Sequence, residues 1–391
     1  MNILHVIPGV ARRYGGPTQA IFELCRALQR EDLEVEICTT DSDGPNRLPV
    51  KVNTPVEYEG VRCHFFRREW TETFQYSPSM KLWLDQNVAR YDLVHIHAIF
   101  SHALPAAANA CCQHGIPYIV RPAGSLEPWC IRQKPVRKWV AWHAFVHRAL
   151  SHAAAIHYTT EQERVGTESA FGLQRGIVVP NGVPEHLAQA TRPPSEKPPT
   201  LLALSRIHPK KGLDLLLRVF IELKTQGQLI GWRLIIAGDG ERRYVEHLQN
   251  LARGTAAEPF VEWTGWLESD TKLSAMRKAS LFVLSSHQEN FGIGVLEAMA
   301  CGTPVLVSRH VGLATEIQEA RAGWVVGLDA AGLRDGLIEA CGADDELEQR
   351  GVAARRLVRE RFTWPRIAAE WTSRYETILA QAPKSSLTYA Q

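Results

Sequence analysis

Short runs of apolar residues alternate along the chain with longer segments in which apolar residues recur every three or four positions. The short runs are continuous, which is typical of strands that helices cover on both faces of a sheet. In the first half they predict strands at residues 3–7, 35–38, 61–66, 93–96, 118–120, 154–157 and 177–179. The longer segments predict helices at residues 18–30, 78–89, 102–114 and 136–150.

A second series of the same kind follows a proline-rich stretch. Residues 184–199 include two Pro-Pro pairs and have no apolar periodicity, a composition that predicts a linker between domains. Beyond it, the pattern predicts strands at residues 200–204, 233–237, 260–263, 281–284 and 305–307. Helices are predicted between them, most clearly at 213–223, and at 330–341, 345–361 and 364–380.

This rhythm predicts an α/β fold of two doubly wound, Rossmann-like domains built from parallel βαβ units. We expect an N-terminal domain over 1–183, a linker over 184–199, a C-terminal domain over 200–364, a C-terminal helix over 365–382 and a flexible tail over 383–391. The domains would face each other across a cleft. Ligands of such sheets bind beyond the carboxyl ends of the strands, so the loops there should carry the function.

Composition narrows the class of protein. The 391 residues are 45% hydrophobic and 22% charged, as in ordinary globular proteins, and the net charge of +2 predicts no nucleic-acid partner. The eight cysteines show no zinc-ligand spacing, so we expect neither structural zinc nor disulfides. The chain shows no secretory signal at its start and no apolar stretch near the roughly 18 residues of a membrane span, which predicts a cytoplasmic protein.

The most informative segment is residues 285–304, which follow the predicted strand 281–284. It predicts a loop and then a helix from about residue 293, whose first amides and dipole would form an anion site. Gly292 and Gly294 would let a phosphate approach the backbone closely. Glu289 and Glu297 suit hydroxyl groups better than phosphate, as on a ribose and a hexose flanking a diphosphate. The alternative is a plain strand-loop-helix unit with solvated glutamates.

Two cations occupy one strand-end loop earlier in the same half. Arg206 follows the strand 200–204, and Lys211 precedes the helix 213–223. A planar guanidinium and a lysine ammonium can converge on a diphosphate and stabilise the charge that develops as it leaves. No metal would then be required. Taken alone, such residues are more often solvated surface charges, and Lys210 is expected to face solvent.

Residues 285–304 resemble the E-x7-E motif of the family 4 glycosyltransferases, a group of retaining enzymes with the GT-B fold. The run Glu-Ala-Met-Ala-Cys-Gly-Thr-Pro-Val matches the usual family wording. The resemblance implies that Glu297 binds the ribose and that Glu289 contacts the donor sugar near the reacting carbon. It also implies that Arg206 and Lys211 are the paired cations, and that the C-terminal helix returns to the N-terminal domain.

The resemblance implies further donor contacts, mostly through the backbone. Gly238 lies in a Gly-Asp-Gly turn like the family's G-x-G turn, and Gly16 belongs to a glycine pair that approaches the β-phosphate. The pyridine-nucleotide alternative fails for that loop, which has no G-x-G-x-x-G. The donor-binding set thus comprises Glu297, Gly16, Gly238, Asn290, Phe291, Gly292, Ile293 and, beside the base, Trp266 and Leu267.

Two histidines end the predicted strand 93–96, in a His-x-His pattern that is frequent in the family. Alternation along a strand places His95 and His97 on one face. We expect His97 to be the catalytic cleft residue and His95 to be a hydrogen-bonded structural residue. Such a pair can also bind a metal, but the sequence shows no third ligand nearby, so no metal site is predicted.

The loop 120–129 departs from the family pattern. Many relatives carry a histidine near the sugar there, whereas our alignment places Ala123 or Gly124 at that position. The backbone amides of residues 123–125, or Arg121, would have to make the contact instead. Arg121, Ser125 and Tyr14 are weak candidates for the acceptor side.

Basic and aromatic residues occur together at residues 132–146. This composition is typical of a peripheral contact with anionic lipid headgroups, where a lipid-linked acceptor would lie. We favour the other interpretation, a core-packed helix with a solvated basic start.

The predicted function is transfer of a hexose from a nucleoside diphosphate sugar, with UDP-glucose as the favoured donor, to an acceptor hydroxyl. Retention of configuration is implied by the resemblance. The acceptor would be a glycan or lipid-linked glycan of polysaccharide or envelope biosynthesis, and the enzyme would be cytoplasmic or at the inner face of the membrane. The alternatives are a non-catalytic nucleotide-sugar-binding protein and a sugar-nucleotide epimerase on the same fold.

Overall fold

The computed structural model describes residues 1–189 and 197–381 and divides into two compact units. The first unit comprises Met1–Asn181 together with the chain from Trp364 onward, and the second comprises Gly182–Thr363. The predicted flexible tail, 383–391, and residues 190–196 of the predicted linker lie outside the described residues. No helix in the described part of the chain is long and apolar enough to cross a membrane.

The first unit contains an eight-stranded sheet in the order β10-β9-β8-β7-β1-β2-β6-β5. All neighbours pair in parallel except β5 with β6. A two-stranded ribbon, β3 with β4, follows β2. The strands are β1 (Asn2–Gly9), β2 (Glu34–Thr40), β3 (Ser42–Asp43), β4 (Asn46–Arg47), β5 (Pro55–Tyr58), β6 (Val61–Phe66), β7 (Leu93–His97), β8 (Tyr118–Arg121), β9 (Ala155–Tyr158) and β10 (Gly176–Val178).

Helices connect these strands in the manner of a doubly wound sheet. Central strands are buried throughout because helices cover both faces, as their continuous apolar runs predict. The helices are α1 (Gly16–Gln29), α2 (Pro78–Asn87), α3 (Ala103–His114), α4 (Pro128–Arg132), α5 (Pro135–Ala141), α6 (His147–His152) and α7 (Glu161–Phe171), with a π-helical turn joining α5 to α6.

The second unit contains a fully parallel six-stranded sheet in the order β13-β12-β11-β14-β15-β16. Its strands are β11 (Thr200–Leu204), β12 (Arg233–Ala237), β13 (Val261–Gly265), β14 (Leu281–Leu284), β15 (Val305–Ser308) and β16 (Gly323–Val326). Its helices are α8 (Glu185–Gln189), α9 (Leu213–Thr225), α10 (Arg242–Ala252), α11 (Ser269–Lys278), α12 (Ile293–Ala300), α13 (Ala314–Glu319), α14 (Ala330–Cys341) and α15 (Asp344–Arg361).

The last helix, α16 (Trp364–Gln381), belongs to the first unit, which confirms the predicted return of the C-terminal helix. Trp371 and Tyr375 are fully buried there. The Trp364 indole donates a hydrogen bond to Glu23 of α1, and the Tyr375 hydroxyl contacts His95 of β7. Aromatic burial and these polar contacts hold α16 against α1 and β7.

Three local predictions were wrong or incomplete. Within the predicted linker, residues 185–189 form α8, because Leu187 and Ala188 fall on one helical turn and pack into the core of the second unit. The edge strands β5 and β16 were missed, since each is a four-residue segment with too few apolar positions to show periodicity. The predicted helix 136–150 forms, but α5 has no buried residue, so its first part is not core-packed.

Candidate active site

The predicted anion site lies where β14, a fully buried strand, gives way to α12. Gly292 caps the N-terminus of α12 with a φ of +95°, a left-handed conformation that favours glycine. Phe291 is buried, and its ring lies edge-on to Phe362 with 6.2 Å between centroids. Only the backbone of Phe291 can therefore meet a ligand, while Asn290 and Ile293 are half-buried.

Glu289 lies in the loop before α12, and its backbone is braced on the loop that follows β15. Its N–H donates to the His310 carbonyl at 2.9 Å, and its carbonyl accepts from the Gly312 N–H at 2.8 Å. The half-buried carboxylate pairs with the Lys211 ammonium. Two residues that the sequence places 78 positions apart thus meet at the carboxyl edge of the sheet.

Glu297 is buried one turn inside α12, where its carboxylate accepts a hydrogen bond from the Lys272 ammonium at 2.6 Å. Lys272 lies on α11. Sequence reasoning missed Lys272, because nothing in the pattern of α11 distinguishes it from a solvated lysine. The Lys272 ammonium therefore balances the negative charge of the buried Glu297 carboxylate.

The loop after β11 presents the cations. Arg206 is exposed and has no ion-pair partner among the described residues. The loop packs tightly on the segment after β14: the Ser285 hydroxyl donates to the Gly212 carbonyl at 3.0 Å, and the His287 N–H donates to the Lys210 carbonyl at 2.8 Å. A side chain at Gly212 would place Cβ 2.1 Å from the Ser285 carbonyl oxygen, so this close approach requires glycine.

The pKa of His208 reflects the positive charges in this loop. Partial burial lowers its pKa, and the positive charges of Arg206, Lys210 and Lys211 lower that pKa further. The loop therefore carries a concentrated positive potential, as a diphosphate site needs.

Gly238 ends the neighbouring strand β12 at a second close approach. Its φ is +142°, and a Cβ would lie 1.9 Å from the Ser205 carbonyl oxygen. The Gly238 N–H donates to the Gly265 carbonyl at 2.7 Å, which ties this turn to the end of β13. Trp266 is exposed and Leu267 half-buried just beyond it.

His97 in the first unit is buried in a cluster of histidines. Its Nε2 lies 3.0 Å from His5 Nδ1, because β1 and β7 are adjacent parallel strands in register at His5 and His95. The expectation that no third ligand accompanies the histidine pair was therefore wrong. The ring nitrogens of His5, His95 and His97 lie within 4.8 Å of one another, a spacing that could hold a metal ion.

For the hydrogen bonds of His157 and His95, the partners determine which nitrogen donates and which accepts. His157 Nε2 lies 2.8 Å from the Val179 carbonyl oxygen and must donate to it, so in the neutral ring Nδ1 accepts. His95 Nε2, 3.2 Å away, is then the donor to His157, and His95 Nδ1 accepts from the Tyr375 hydroxyl at 3.1 Å. This agrees with the structural role expected for His95.

Burial keeps these rings neutral. Burial, with a smaller contribution from the nearby Arg121 guanidinium, lowers the pKa of His5 to about 3. Burial also lowers the pKa values of His95, His97 and His157 well below the usual range.

Arg121, predicted as an acceptor-side contact, is itself buried at the end of β8. Its Nη2 donates to the Asn181 side chain at 2.9 Å. Burial lowers the pKa of Arg121 to about 10, an effect that the negative charge of Glu163 opposes. The guanidinium is therefore enclosed within the first unit, where Nη2 bonds to Asn181. Its Nε has no hydrogen-bond partner among the described residues.

The amides offered as substitutes for the family histidine are largely occupied. The Gly124 N–H donates to the Glu163 carboxylate at 2.7 Å, and the Ser125 N–H donates to the Pro122 carbonyl at 3.2 Å. The expectation was wrong for these two amides, because the Glu163 carboxylate of α7 and the Pro122 carbonyl already accept their hydrogen bonds. Glu163 was not found from the sequence, where it is one of several glutamates at the start of a helix.

The remaining first-unit candidates lie after β1. Gly16 begins α1 next to Gly15, whose φ is +81° and which has open space where a side chain would be. The Tyr14 hydroxyl accepts a hydrogen bond from the Gly44 N–H at 3.0 Å, which holds the ring in place.

Comparison with known proteins identifies the two units. The family model described as "Glycosyl transferase 4-like domain" matches residues 15–182, and that described as "Glycosyl transferases group 1" matches residues 185–355. Among curated proteins, the chain is 31% identical over 347 residues to D-inositol 3-phosphate glycosyltransferase 2 of Catenulispora acidiphila, covering 80% of this chain and 78% of that protein. It is also 31% identical over 220 residues to phosphatidyl-myo-inositol mannosyltransferase of Mycobacterium tuberculosis, covering 53% of this chain and 56% of that protein.

Solved structures share the fold at lower identity. Anabaena HepE, solved in complex with UDP, superposes with a TM-score of 0.76 at 18% identity, covering 96% of this chain and all of that one. Sucrose-phosphate synthase of Thermosynechococcus elongatus superposes with a TM-score of 0.76 at 18% identity, covering 97% of this chain and all of that one.

Two parallel Rossmann-like units with a C-terminal helix returning to the first define a GT-B protein. The chain belongs to the family 4 glycosyltransferases, retaining enzymes that use nucleotide sugars.

Proposed function

We propose that this glycosyltransferase transfers a hexose, with UDP-glucose as the favoured donor, to a hydroxyl of a glycan or lipid-linked glycan in polysaccharide or envelope biosynthesis. The observation that carries the proposal is the pairing of Lys211 with Glu289 at the carboxyl edge of the second sheet, beside the exposed Arg206. Solved relatives in complex with UDP and with UDP-glucose support the choice of donor. A cytoplasmic location is part of the same proposal.

The reaction needs a leaving diphosphate stabilised by fixed positive charge. The acceptor oxygen attacks the anomeric carbon, the bond from that carbon to the β-phosphate oxygen breaks, and the acceptor proton passes to the leaving diphosphate. Arg206 and Lys211 stabilise the charge that grows on the phosphate, an interaction that strengthens in the transition state. Lys211 would exchange its Glu289 partner for phosphate, which frees Glu289 to orient the donor sugar.

The other donor contacts have separate roles in this proposal. Glu297 binds the ribose hydroxyls, and the amides of residues 290–293 hold the diphosphate at the start of α12. Gly238 lets the backbone after β12 approach the nucleotide, with Trp266 and Leu267 beside the base. Gly16 and His97 of the first unit remain candidates for contacts with the donor from that unit.

A thermal-shift screen with UDP, GDP, ADP and their sugar conjugates tests the proposal. A nucleotide that binds the native state raises the unfolding midpoint by mass action. We expect the UDP series to shift the midpoint and Arg206→Ala to abolish most of the shift, since Arg206 is exposed and its loss leaves the fold intact. Arg218→Ala, at an exposed position on α9, is the matched control. A shift with GDP alone would mean that the donor is a GDP-sugar and not UDP-glucose. No shift with any nucleotide would refute the proposal.

A further inference from the structure

Helix α5 and the turn after it form an exposed surface that no other described residue covers. No residue of α5 is buried, and three of its large apolar side chains are mostly exposed: Val136 (74%), Trp139 (64%) and Val140 (53%). With His143, which is also exposed, they follow the i, i+3, i+4, i+7 spacing of one helix face. We call these four residues the 136–143 face.

The helix is held from its opposite side, so its exposure is a stable feature of the fold. The Lys138 ammonium donates to the Cys130 carbonyl and lies 5.2 Å from the centroid of the Phe100 ring. Val146 is buried, and Trp142 packs on Phe171 with 4.8 Å between ring centroids. These contacts turn the 136–143 face outward.

The charge around this face is one-sided. Residues 128–160 contain five lysines and arginines and no aspartate or glutamate, whereas the whole chain has 44 cationic and 42 anionic residues. Arg132, Lys134 and Arg137 are exposed and form no ion pair with any described residue. A carboxylate-free basic segment beside exposed Trp and Val differs from an ordinary protein surface, where charges of both signs mix.

We propose that the 136–143 face docks on the surface of an anionic phospholipid bilayer. Trp139, Val136 and Val140 would enter the boundary between headgroups and acyl chains, a position that tryptophan favours. Arg132, Lys134 and Arg137 would contact lipid phosphates. The inference rests on the proposed function only for the nature of the acceptor, because docking would bring a lipid-linked acceptor to the enzyme.

Co-sedimentation of the full chain with vesicles tests this docking. We expect binding to phosphatidylcholine vesicles that contain phosphatidylglycerol, little binding to phosphatidylcholine alone, and weakening as salt increases. Trp139→Ser with Val140→Ser should lower the affinity at least about tenfold, from the apolar burial lost. Arg132→Glu with Arg137→Glu should lower it roughly fivefold or more for each cation.

The matched control is Ile230→Ser, which removes an apolar side chain that is 86% exposed in the second unit and should leave vesicle binding unchanged. The thermal midpoint and the UDP-induced shift of each variant show that its fold and donor site are intact. Absence of binding to anionic vesicles, or equal binding by the Trp139/Val140 variant and the control, would overturn the inference. So would a dimer in gel filtration that this double variant dissociates.

The two proposals fail in different ways. Vesicle binding without any nucleotide shift would leave the docking surface standing and remove the proposed function. A UDP shift without vesicle binding would do the reverse.

Discussion

Both units carry polar side chains in or just after their parallel strands, but the surroundings of these side chains differ. In the first unit, His5, His95, His97 and His157 are buried and neutral, and they hydrogen-bond mainly to one another and to Tyr375. In the second unit the corresponding edge carries charges, in the half-buried Lys211–Glu289 pair and the Lys272–Glu297 pair.

The difference separates a structural role from a binding role. The neutral rings of His95 and His157 use both nitrogens in hydrogen bonds, and they join β7 and β9 to the C-terminal helix. Ion pairs near solvent can exchange one partner for a charged ligand at modest cost, because water screens them. The same sheet edge thus serves assembly in one unit and supports our proposed donor site in the other.

Acid should have the largest effect on this comparison, because four histidines are fully buried in the first unit, whereas His208 and His310 of the second unit are exposed. The unfolded chain binds more protons below about pH 6.5, because burial lowers the histidine pKa values in the folded state. The stability that the neutral rings confer is complete above that pH and is lost as the pH falls toward the folded-state values. Each ring can remove up to about 1.4 kcal/mol per pH unit. Tryptophan fluorescence during urea unfolding at pH 7.5 to 5 measures the loss.

Substitution of one histidine tests whether the buried rings cause the loss of stability in acid. His157→Gln keeps a donor for the Val179 carbonyl but removes one titrating group, so the slope against pH should fall. The pKa of Glu36 is lowered to about 2, mainly by its hydrogen bond to His64, so the stability it confers is fully present above about pH 4.5 and is lost only below that pH. Stability independent of pH between 7.5 and 5 would show that the histidines are not buried as described.

The adjacent residues Lys210 and Lys211 test the binding role proposed for the second unit. Lys211→Met should lower donor turnover by about a hundredfold to a thousandfold, the usual loss when one group that stabilises the transition-state charge is removed. Lys210→Met should have little effect, because Lys210 meets the neighbouring segment through its carbonyl. Release of UDP from UDP-glucose is the measurement, and equal losses for the two variants would remove Lys211 from the proposed mechanism.

Two glycines at the end of neighbouring strands test how tightly the second unit is built. Gly238→Ala should destabilise the protein by about 3 kcal/mol or more, since Cβ would strike the Ser205 carbonyl and the backbone would be strained. Gly265→Ala has a φ of +71° but open space around its Cβ, so only about 1–2 kcal/mol of strain is expected. Urea unfolding compares them, and similar losses would contradict the close approach at Gly238.

The smallest effect concerns the hydrogen bond between the C-terminal helix and β7. Tyr375→Phe removes the donor to His95 and leaves a buried acceptor unpaired, which should cost about 1–3 kcal/mol. Thr377→Val removes an exposed hydroxyl two residues along the same helix and should change little. If Tyr375→Phe is as stable as Thr377→Val, the direction assigned to the histidine chain is wrong.

Most strands and helices could be predicted from the sequence, because a buried parallel sheet imposes continuous apolar runs and the helices impose a period near 3.6. β5, β16 and α8 escaped, since a four- or five-residue element at an edge carries too few apolar positions to show either period. In the candidate site, Arg206, Lys211, Glu289 and Glu297 were found through the motif they form with the glycines. Their roles in binding the donor remain predictions.

The sequence by itself determined most of the longer elements and which loops carry charge and glycine, because these are properties of neighbouring residues. Only the tertiary structure decided the partners. Lys272 meets Glu297, Glu163 meets the Gly124 amide, and His5 joins His97 across 92 residues. These contacts depend on which strands lie side by side, and strand order is set by packing of the whole sheet, which no local pattern records.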